Sequence, residues 1–273
     1  MIRLCNPALE QAIIDRISEK GVALPVLPDI AVRVRKVIND PNSSASDLVA
    51  IISQEPAIAA RLIQVANSAM YRGAEPIDNL THVVTRLGQR AVGQLVVTLA
   101  TRDLFKSRDK DVQAVMRLHW GVAAQVAALS HHIAKHHTRL DADQALLAGL
   151  LHGVGGLPVI SVAEDIPRLK ANRQLLLRLI ERLQPRLGAR IVKAWDFPPI
   201  FAEVIENTNN MEYDHPGSAN DVDVVLCAIA QARGIATLED GSPIPAAQKL
   251  QLDLSVDLID NELEQAIDAL AGN

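Results

Sequence analysis

Histidines are the residues of this 273-residue chain best suited to metal chemistry, and six of the eight lie between His119 and His152. Neutral imidazole is a common ligand for zinc and nickel. On a helix, His132 and His136 would share one face because they are four residues apart. Such a pair needs a third ligand, and histidines in a last helical turn also interact favourably with the negative end of the dipole. The pair can therefore be interpreted as part of a metal site or as histidines that favour a helix C-terminus, and we favour the second interpretation.

His152 follows two leucines and precedes a glycine-rich turn. Buried polar side chains mostly serve to hydrogen-bond their neighbours, so we interpret His152 as a buried, hydrogen-bonded residue. A ligand-binding role is the alternative. His119 could approach it, but two histidines form a poor metal site. His152 and His119 are therefore weak metal candidates, and we expect no metal and no catalytic residue.

A second group of candidates, Asn67, Ser68 and Arg72, lies where a predicted helix ends. Asparagine tolerates left-handed geometry and serine bonds to nearby backbone, so capping explains the first two residue types. The alternative is a polar patch that binds a partner or a small anionic ligand, with Arg72 as donor. The other basic residues are dispersed and balanced by acids, which is typical of solvated faces; they include Arg33, Arg35, Lys36, Arg86, Arg90 and a group over residues 168–182.

The composition is 49% hydrophobic but only 3% aromatic, which predicts an aliphatic core. A net charge of −5 and a pI near 5.9 argue against binding to nucleic acid or to an anionic membrane. Two cysteines, Cys5 and Cys227, fit structural thiols in a reducing compartment. No signal peptide is recognisable, and charges, Gly or Pro interrupt the apolar stretches. We therefore expect a cytoplasmic protein without membrane association.

Apolar residues recur at helical spacing along the whole chain, and strand signals are weak, which predicts an all-α fold. The predicted helices span residues 8–20, 29–39, 46–53, 56–67, 79–87, 90–106, 112–120 running on or bent into 122–137, 142–151, 168–183, 185–195, 199–207, 222–234, 245–250 and 256–270. Ser44 and Ser46 are the predicted N-caps of the third. Residues 68–78 and 213–221 are predicted loops, and residues 153–158 are a predicted flexible turn.

Short phrases in a fixed order over residues 22–205 resemble the HDOD family. They are Leu24-Pro25-Val26-Leu27-Pro28, Glu55-Pro56-Ala57-Ile58-Ala59-Ala60-Arg61-Leu62, Ala66-Asn67-Ser68-Ala69-Met70-Tyr71, Leu87-Gly88, Trp120 and Ala148-Gly149-Leu150-Leu151-His152. The family is a helical relative of the HD and HD-GYP metal-dependent phosphohydrolases in bacterial signalling proteins. Glu55 departs from the aspartate that often stands there, and it keeps the charge.

The resemblance implies a two-lobed helical domain over residues 22–215. Its first lobe covers about 22–106 and its HD-like second lobe about 112–215. A helix within residues 1–21 precedes the domain, and a helical extension over residues 216–273 packs on it. The resemblance also implies a regulatory or scaffolding role.

The same resemblance places the metal ligands of an HD enzyme. The aspartate expected after His152 is replaced by Gly153, and the first histidine falls on Val122. The remaining positions fall on Gln184, on Asn207-Thr208 and on Cys227-Ala228. HD catalysis needs several converging His and carboxylate ligands. One remaining imidazole cannot hold a catalytic ion, so the resemblance implies loss of catalysis.

The sequence thus predicts a non-catalytic bacterial signal-transduction protein that acts through protein–protein interaction. Expected partners are a kinase, a response regulator or a cyclic-dinucleotide enzyme, and self-association stays open. The alternatives are a phosphohydrolase with an atypical ligand set and a small-nucleotide receptor at the vacated site. No cofactor is expected. The candidate binding residues are Asn67, Ser68, Arg72 and His152.

Overall fold

A computed structural model describes residues 24–272, apart from the Arg168 side chain, together with residues 11, 13 and 15. This part of the chain is helical without β-strands, which confirms the all-α prediction. An isolated bridge joins Thr237 and Pro243. Residues 11, 13 and 15 are helical, and the rest of the predicted helix over residues 1–21 lies outside the described residues.

Fourteen α-helices follow one another along residues 24–272. They are α1 (Asp29–Asn39), α2 (Ala45–Ser53), α3 (Pro56–Ala66), α4 (Leu80–Leu87), α5 (Gln89–Thr101), α6 (Lys110–His137), α7 (Ala142–Leu151), α8 (Gly156–Ala163), α9 (Pro167–Lys170), α10 (Arg173–Ala194), α11 (Pro199–Glu206), α12 (Asp221–Arg233), α13 (Pro245–Leu250) and α14 (Asn261–Ala271). A short 3-10 turn, Arg102–Leu104, follows α5.

Local signals place most helix starts correctly. Ser44 is the N-cap of α2, where its side chain accepts from the Asp47 N–H while Asp47 accepts from the Ser44 N–H. This capping box satisfies two backbone donors that the helix itself leaves without partners. Pro56 occupies the first turn of α3, where no backbone N–H is needed.

Two of the predicted boundaries differ from the structure for reasons of helix chemistry. Residues 153–158 are not all turn, because α8 begins at Gly156 and Pro158 is tolerated in its first turn. The predicted helix over residues 256–270 begins too early, since Asp260 caps α14 by accepting from the Leu263 N–H. Of the two arrangements predicted for residues 112–137, the structure has the one in which the helix runs on, as part of α6.

The break predicted between residues 183 and 185 is absent, because α10 continues through Pro185. Proline cannot donate to the carbonyl four residues earlier, which belongs to Glu181. The Asn209 side chain donates to that carbonyl instead. A residue 24 positions further along the chain therefore supplies the missing hydrogen bond.

Replacing Pro185 with alanine is expected to raise the free energy of unfolding by about 1 kcal/mol, because alanine restores the N–H donor and favours the helix. Urea unfolding of the full chain measures the change. Asn209→Ala in the wild-type background should instead lower it by about 1 kcal/mol. A destabilised Pro185→Ala variant would contradict this account of α10.

The two halves of the molecule share one aliphatic core. Helix α5 packs against α7, and α14 lies against both α6 and α3. The Trp120 indole N–H donates to the Ala271 carbonyl at 3.1 Å, and Arg61 donates to the Leu270 carbonyl at 3.1 Å. The Trp195 indole donates to the Pro25 carbonyl at 2.7 Å. These bonds fix the chain ends of the described region against both halves.

The segment Ala142–Ala163, which contains α7 and α8, is long and apolar enough by composition to cross a bilayer. In the folded chain, 94% of its most apolar window is buried. Burial in the core accounts for that apolar composition.

Candidate functional site

His152 lies at the C-terminal end of α7, where it is 4% exposed. Its Nδ1–H donates to the Gly149 carbonyl one turn earlier. Burial lowers the pKa of the ring to about 4, so the imidazole is neutral at neutral pH. The hydrogen bond places the proton on Nδ1 and leaves Nε2 as a lone-pair donor.

His119 lies across from this turn, on α6. Its Nε2–H donates to the Gly153 carbonyl at 2.7 Å, and its ring lies 5.8 Å from that of Phe105. Burial lowers the pKa of His119 as well. The His119 ring nitrogen that faces the turn is therefore hydrogen-bonded to the backbone and is not free to bind a metal.

The backbone around His152 is packed at distances that only glycine permits. A Cβ on Gly156 would lie 2.5 Å from His119 Nε2, and a Cβ on Gly155 would lie 2.0 Å from the Gln184 carbonyl oxygen. A Cβ on Gly153 would be 3.3 Å from His119 Nε2. The turn after His152 is thus packed closely against His119 of α6 and the backbone of α10.

The alignment that places the first metal-ligand position of an HD enzyme at Val122 of α6 is wrong. Val122, the predicted first-ligand position, is 44% exposed on the outer face of the helix. His119 and Ala123, four residues apart on one face, are the α6 residues nearest a Cβ on Gly153. The exposure of Val122 therefore excludes it from the packed contact that His119 and Ala123 make with the turn.

The other expected ligand positions supply no ligand set. Gln184 turns its backbone carbonyl to Gly155, and the Thr208 hydroxyl donates to the Ile205 carbonyl at 3.1 Å. Cys227 is fully buried, and burial raises the pKa of its thiol to about 12. Across the described residues, no group of three or more His, Cys, Asp or Glu side chains is arranged to hold a metal. The residues present do not fit a catalytic metal ion.

The second histidine pair lies in the last turns of α6. The rings of His132 and His136 are 4.6 Å apart. Burial, followed by the neighbouring His136, lowers the pKa of His132. The described residues provide no third ligand of the kind a metal site needs. His136 lies in the last turn of α6, where a protonated imidazole would interact favourably with the helix dipole.

Asn67 and Ser68 belong to the framework of the loop after α3. The Asn67 amide donates to the Ile77 carbonyl and accepts from the Ile77 N–H, both at 2.7 Å, which clamps the loop shut. The Ser68 hydroxyl donates to the Val65 carbonyl at 2.7 Å. The alternative of a ligand-binding patch is therefore not supported for these two residues. Arg72 is exposed and lies 3.6 Å from Glu262.

A partly buried polar cluster that the sequence did not reveal holds this loop against α6 and α7. The Tyr71 hydroxyl donates to Asp143, and its ring meets that of His131 edge-on at 5.1 Å. Burial raises the pKa of Tyr71 and of Asp143 and lowers that of His131 to about 3. Because 72 residues separate Tyr71 from Asp143, no local pattern indicates this contact.

The geometry defines a class of protein: a helical HD-like fold whose ligand positions hold residues that cannot form the metal shell. A family model of the HDOD domain matches residues 24–211, more than half of the chain. The chain belongs to the HDOD domain family.

Related proteins share this fold. A crystal structure from Shewanella amazonensis SB2B, of a protein named as a candidate metal-dependent phosphohydrolase, is 29% identical with a TM-score of 0.80 and 97% coverage of both chains. An HDOD domain protein of unknown function from Geobacter sulfurreducens is 20% identical, with a TM-score of 0.64 and coverage of 98% of this chain and 95% of that one. A candidate signal transduction protein from Marinobacter aquaeolei VT8 is 22% identical, with a TM-score of 0.60 and coverage of 100% and 67%.

An uncharacterised protein from Treponema pallidum (strain Nichols) is 24% identical over 247 residues. The match covers 85% of this chain and 45% of that protein. This chain thus spans about half the length of the curated relative.

Proposed function

We propose that this chain is a non-catalytic regulatory protein of bacterial signal transduction, located in the cytoplasm, that works by contact with other proteins. The observation that carries the proposal is the closed position at His152. Gly153 supplies no ligand there, its carbonyl accepts from His119, and Gly155 packs on the backbone of α10. A protein that keeps the HD-like fold without the metal ligands can still act by binding other proteins at its surface.

One helix face supports this proposal. Leu118 and Val122 lie four residues apart on α6, and each is 44% exposed. Large apolar side chains at this spacing are typical anchors for a partner helix. The exposed Arg72, in the loop after α3, would provide the partner with a charged contact outside α6. The partner class we propose is a signalling protein: a kinase, a response regulator or a cyclic-dinucleotide enzyme.

Capture from the native cell on the immobilised full chain tests this proposal. We expect one protein to bind stoichiometrically to the wild type and about tenfold more weakly to Leu118→Glu or Arg72→Glu. Val256→Glu is the matched control, because Val256 is a 56% exposed apolar side chain outside α6. Equal capture by all variants, or binding no greater than to an unrelated protein, would contradict the proposal. A captured second copy of this chain would indicate self-association.

Metal-dependent phosphohydrolysis is the second candidate. It is favoured by the relative from S. amazonensis, which is 29% identical over 97% of both chains and is named as a candidate enzyme of this type. The two proposals differ in whether His152 binds a metal ion.

A further inference from the structure

A cleft of about 320 Å³ lies where the two halves of the molecule meet. Four helices contribute to it: α1 and α5 from the first lobe, and α7 and α11 from the second. Its volume is at the lower end of the range of about 300–1,000 Å³ for small-molecule pockets. Leu147 and Gln144, which line the cleft, precede His152 by five and eight positions along α7, so the cleft lies about 8–12 Å from the HD position along the helix axis.

Gln94 gives the cleft a buried amide whose oxygen, Oε1, has no hydrogen-bond partner in the described residues. It lies in an otherwise apolar stretch of α5 and lines the cleft, yet it is only 8% exposed. A buried acceptor without a partner destabilises a fold. Less than 1 Å² of this oxygen is accessible, so a rotation of the side-chain amide that turns Oε1 into the cleft would let an N–H or O–H donor on a ligand remove that penalty.

Arg35 supplies positive charge to the same cleft. Its guanidinium lies 4.0 Å from the Phe197 ring centre and donates to the carbonyls of Trp195 and Asp196, each at 2.6 Å. Those carbonyls fix the group in place but carry no formal charge. Because a guanidinium has five N–H donors, three remain for an anionic ligand.

Arg90 lies at the rim of the cleft. Its side chain is 70% exposed, 3.2 Å from Asp141, and its guanidinium donates to Gln144 Oε1 at 3.4 Å. Exposed ion pairs of this kind are weak, so an incoming phosphate can replace Asp141 as the partner.

The remaining lining includes Ile38, Val97 and Leu147. Aliphatic surfaces of this kind suit the faces of a planar ring, and a glutamine amide can pair with the edge of a nucleobase. We propose that the cleft binds a nucleoside monophosphate, with a base N–H donated to Gln94 and the phosphate held by Arg35 and Arg90. Since the ligand would contact both lobes, its binding would favour one arrangement of them. The inference does not depend on the protein–protein role.

Thermal unfolding of the full chain with AMP or GMP tests this site. At a concentration of one hundred times Kd, the nucleotide should raise Tm by about 5–10 °C. Adenosine lacks the anion and inorganic phosphate lacks the base, so each alone should give a much smaller shift.

Two variants separate the contacts. Gln94→Leu should keep or raise the Tm of the ligand-free chain, because it removes the unpartnered acceptor, and it should abolish the nucleotide shift. Arg90→Ala should weaken AMP binding about tenfold and leave adenosine unaffected. Arg117→Ala, at an exposed α6 position outside the cleft, is the matched control and should match the wild type.

The proposal would be overturned by the lack of any shift with millimolar AMP or GMP, or by a full shift in Gln94→Leu. It would also be overturned if inorganic phosphate alone reproduced the nucleotide shift. Should Gln94→Leu fail to fold, Gln94→Met provides an apolar side chain closer in shape and Arg90→Ala tests the phosphate contact independently.

Discussion

Replacing Gly155 with alanine is expected to lower the free energy of unfolding by about 3 kcal/mol or more, the largest effect of a single methyl group that we predict. The added Cβ would lie 2.0 Å from the Gln184 carbonyl oxygen and 2.4 Å from the Gly188 nitrogen. Both atoms belong to the backbone of α10, which cannot move aside as a flexible side chain could. The φ of Gly155 is −69°, so the cost is steric and not conformational.

Gly121→Ala is the matched control for this prediction. Gly121 lies within α6, and a Cβ there would meet nothing within 4 Å. The substitution should therefore stabilise the chain by about 0.5–1 kcal/mol through helix propensity. Urea unfolding of both variants measures the difference. Effects of the same sign and size at the two glycines would contradict the close packing of the turn on α10.

Removing the His215 side chain is expected to have the second large effect. Asp223 is fully buried, and its Oδ2 accepts from His215 Nε2 at 2.8 Å and from the Asn220 N–H at 2.9 Å. Its Oδ1 has no hydrogen-bond partner within the described residues. His215→Ala would leave this carboxylate with one donor, and breaking such a buried pair costs about 3–5 kcal/mol.

The same pair makes stability depend on pH. The hydrogen bond to Asp223 raises the pKa of His215 above its usual value. The stabilisation that protonated His215 provides is therefore complete below the pKa of about 6.5 that histidine has in the unfolded chain. It is lost as the pH rises through the higher pKa of His215 in the folded chain. Unfolding free energies between about pH 5 and 9 should show this decline in the wild type and not in His215→Ala.

His82 provides the matched control. Its side chain is 65% exposed and lies 3.4 Å from Asp78, an exposed pair. His82→Ala should change stability by less than about 0.5 kcal/mol and keep the wild-type pH dependence. The account of the buried pair fails if His215→Ala retains the decline above pH 6.5.

Much of the fold follows from local chemistry. The 3.6-residue apolar period and the caps predict α1, α7 and α13 with the observed bounds and most others within a few residues. The capping interpretation of Asn67 and Ser68 also follows from residue type, and the structure uses both side chains in this way.

What local chemistry cannot predict depends on residues distant in sequence. Helix α10 continues through Pro185 because Asn209 replaces the lost donor. Arg35, interpreted as part of a solvated face, is half-buried against Phe197 and lines the cleft with Arg90 and Gln94. Gln94 did carry a signal: it is a lone amide in an apolar stretch of α5. Only the packing of α1, α5, α7 and α11 brings these groups together.

The most direct test of the central claim is the metal content of the full chain. After exposure to Mn²⁺, Fe²⁺ or Ni²⁺ and removal of the excess, elemental analysis and a phosphoester hydrolysis screen are run on the same sample, with His152→Ala and His82→Ala in parallel. A closed, non-catalytic HD position predicts far less than one metal ion per chain and no turnover that depends on His152. Stoichiometric metal, with hydrolysis that is lost in His152→Ala and kept in His82→Ala, would show that the chain is an enzyme.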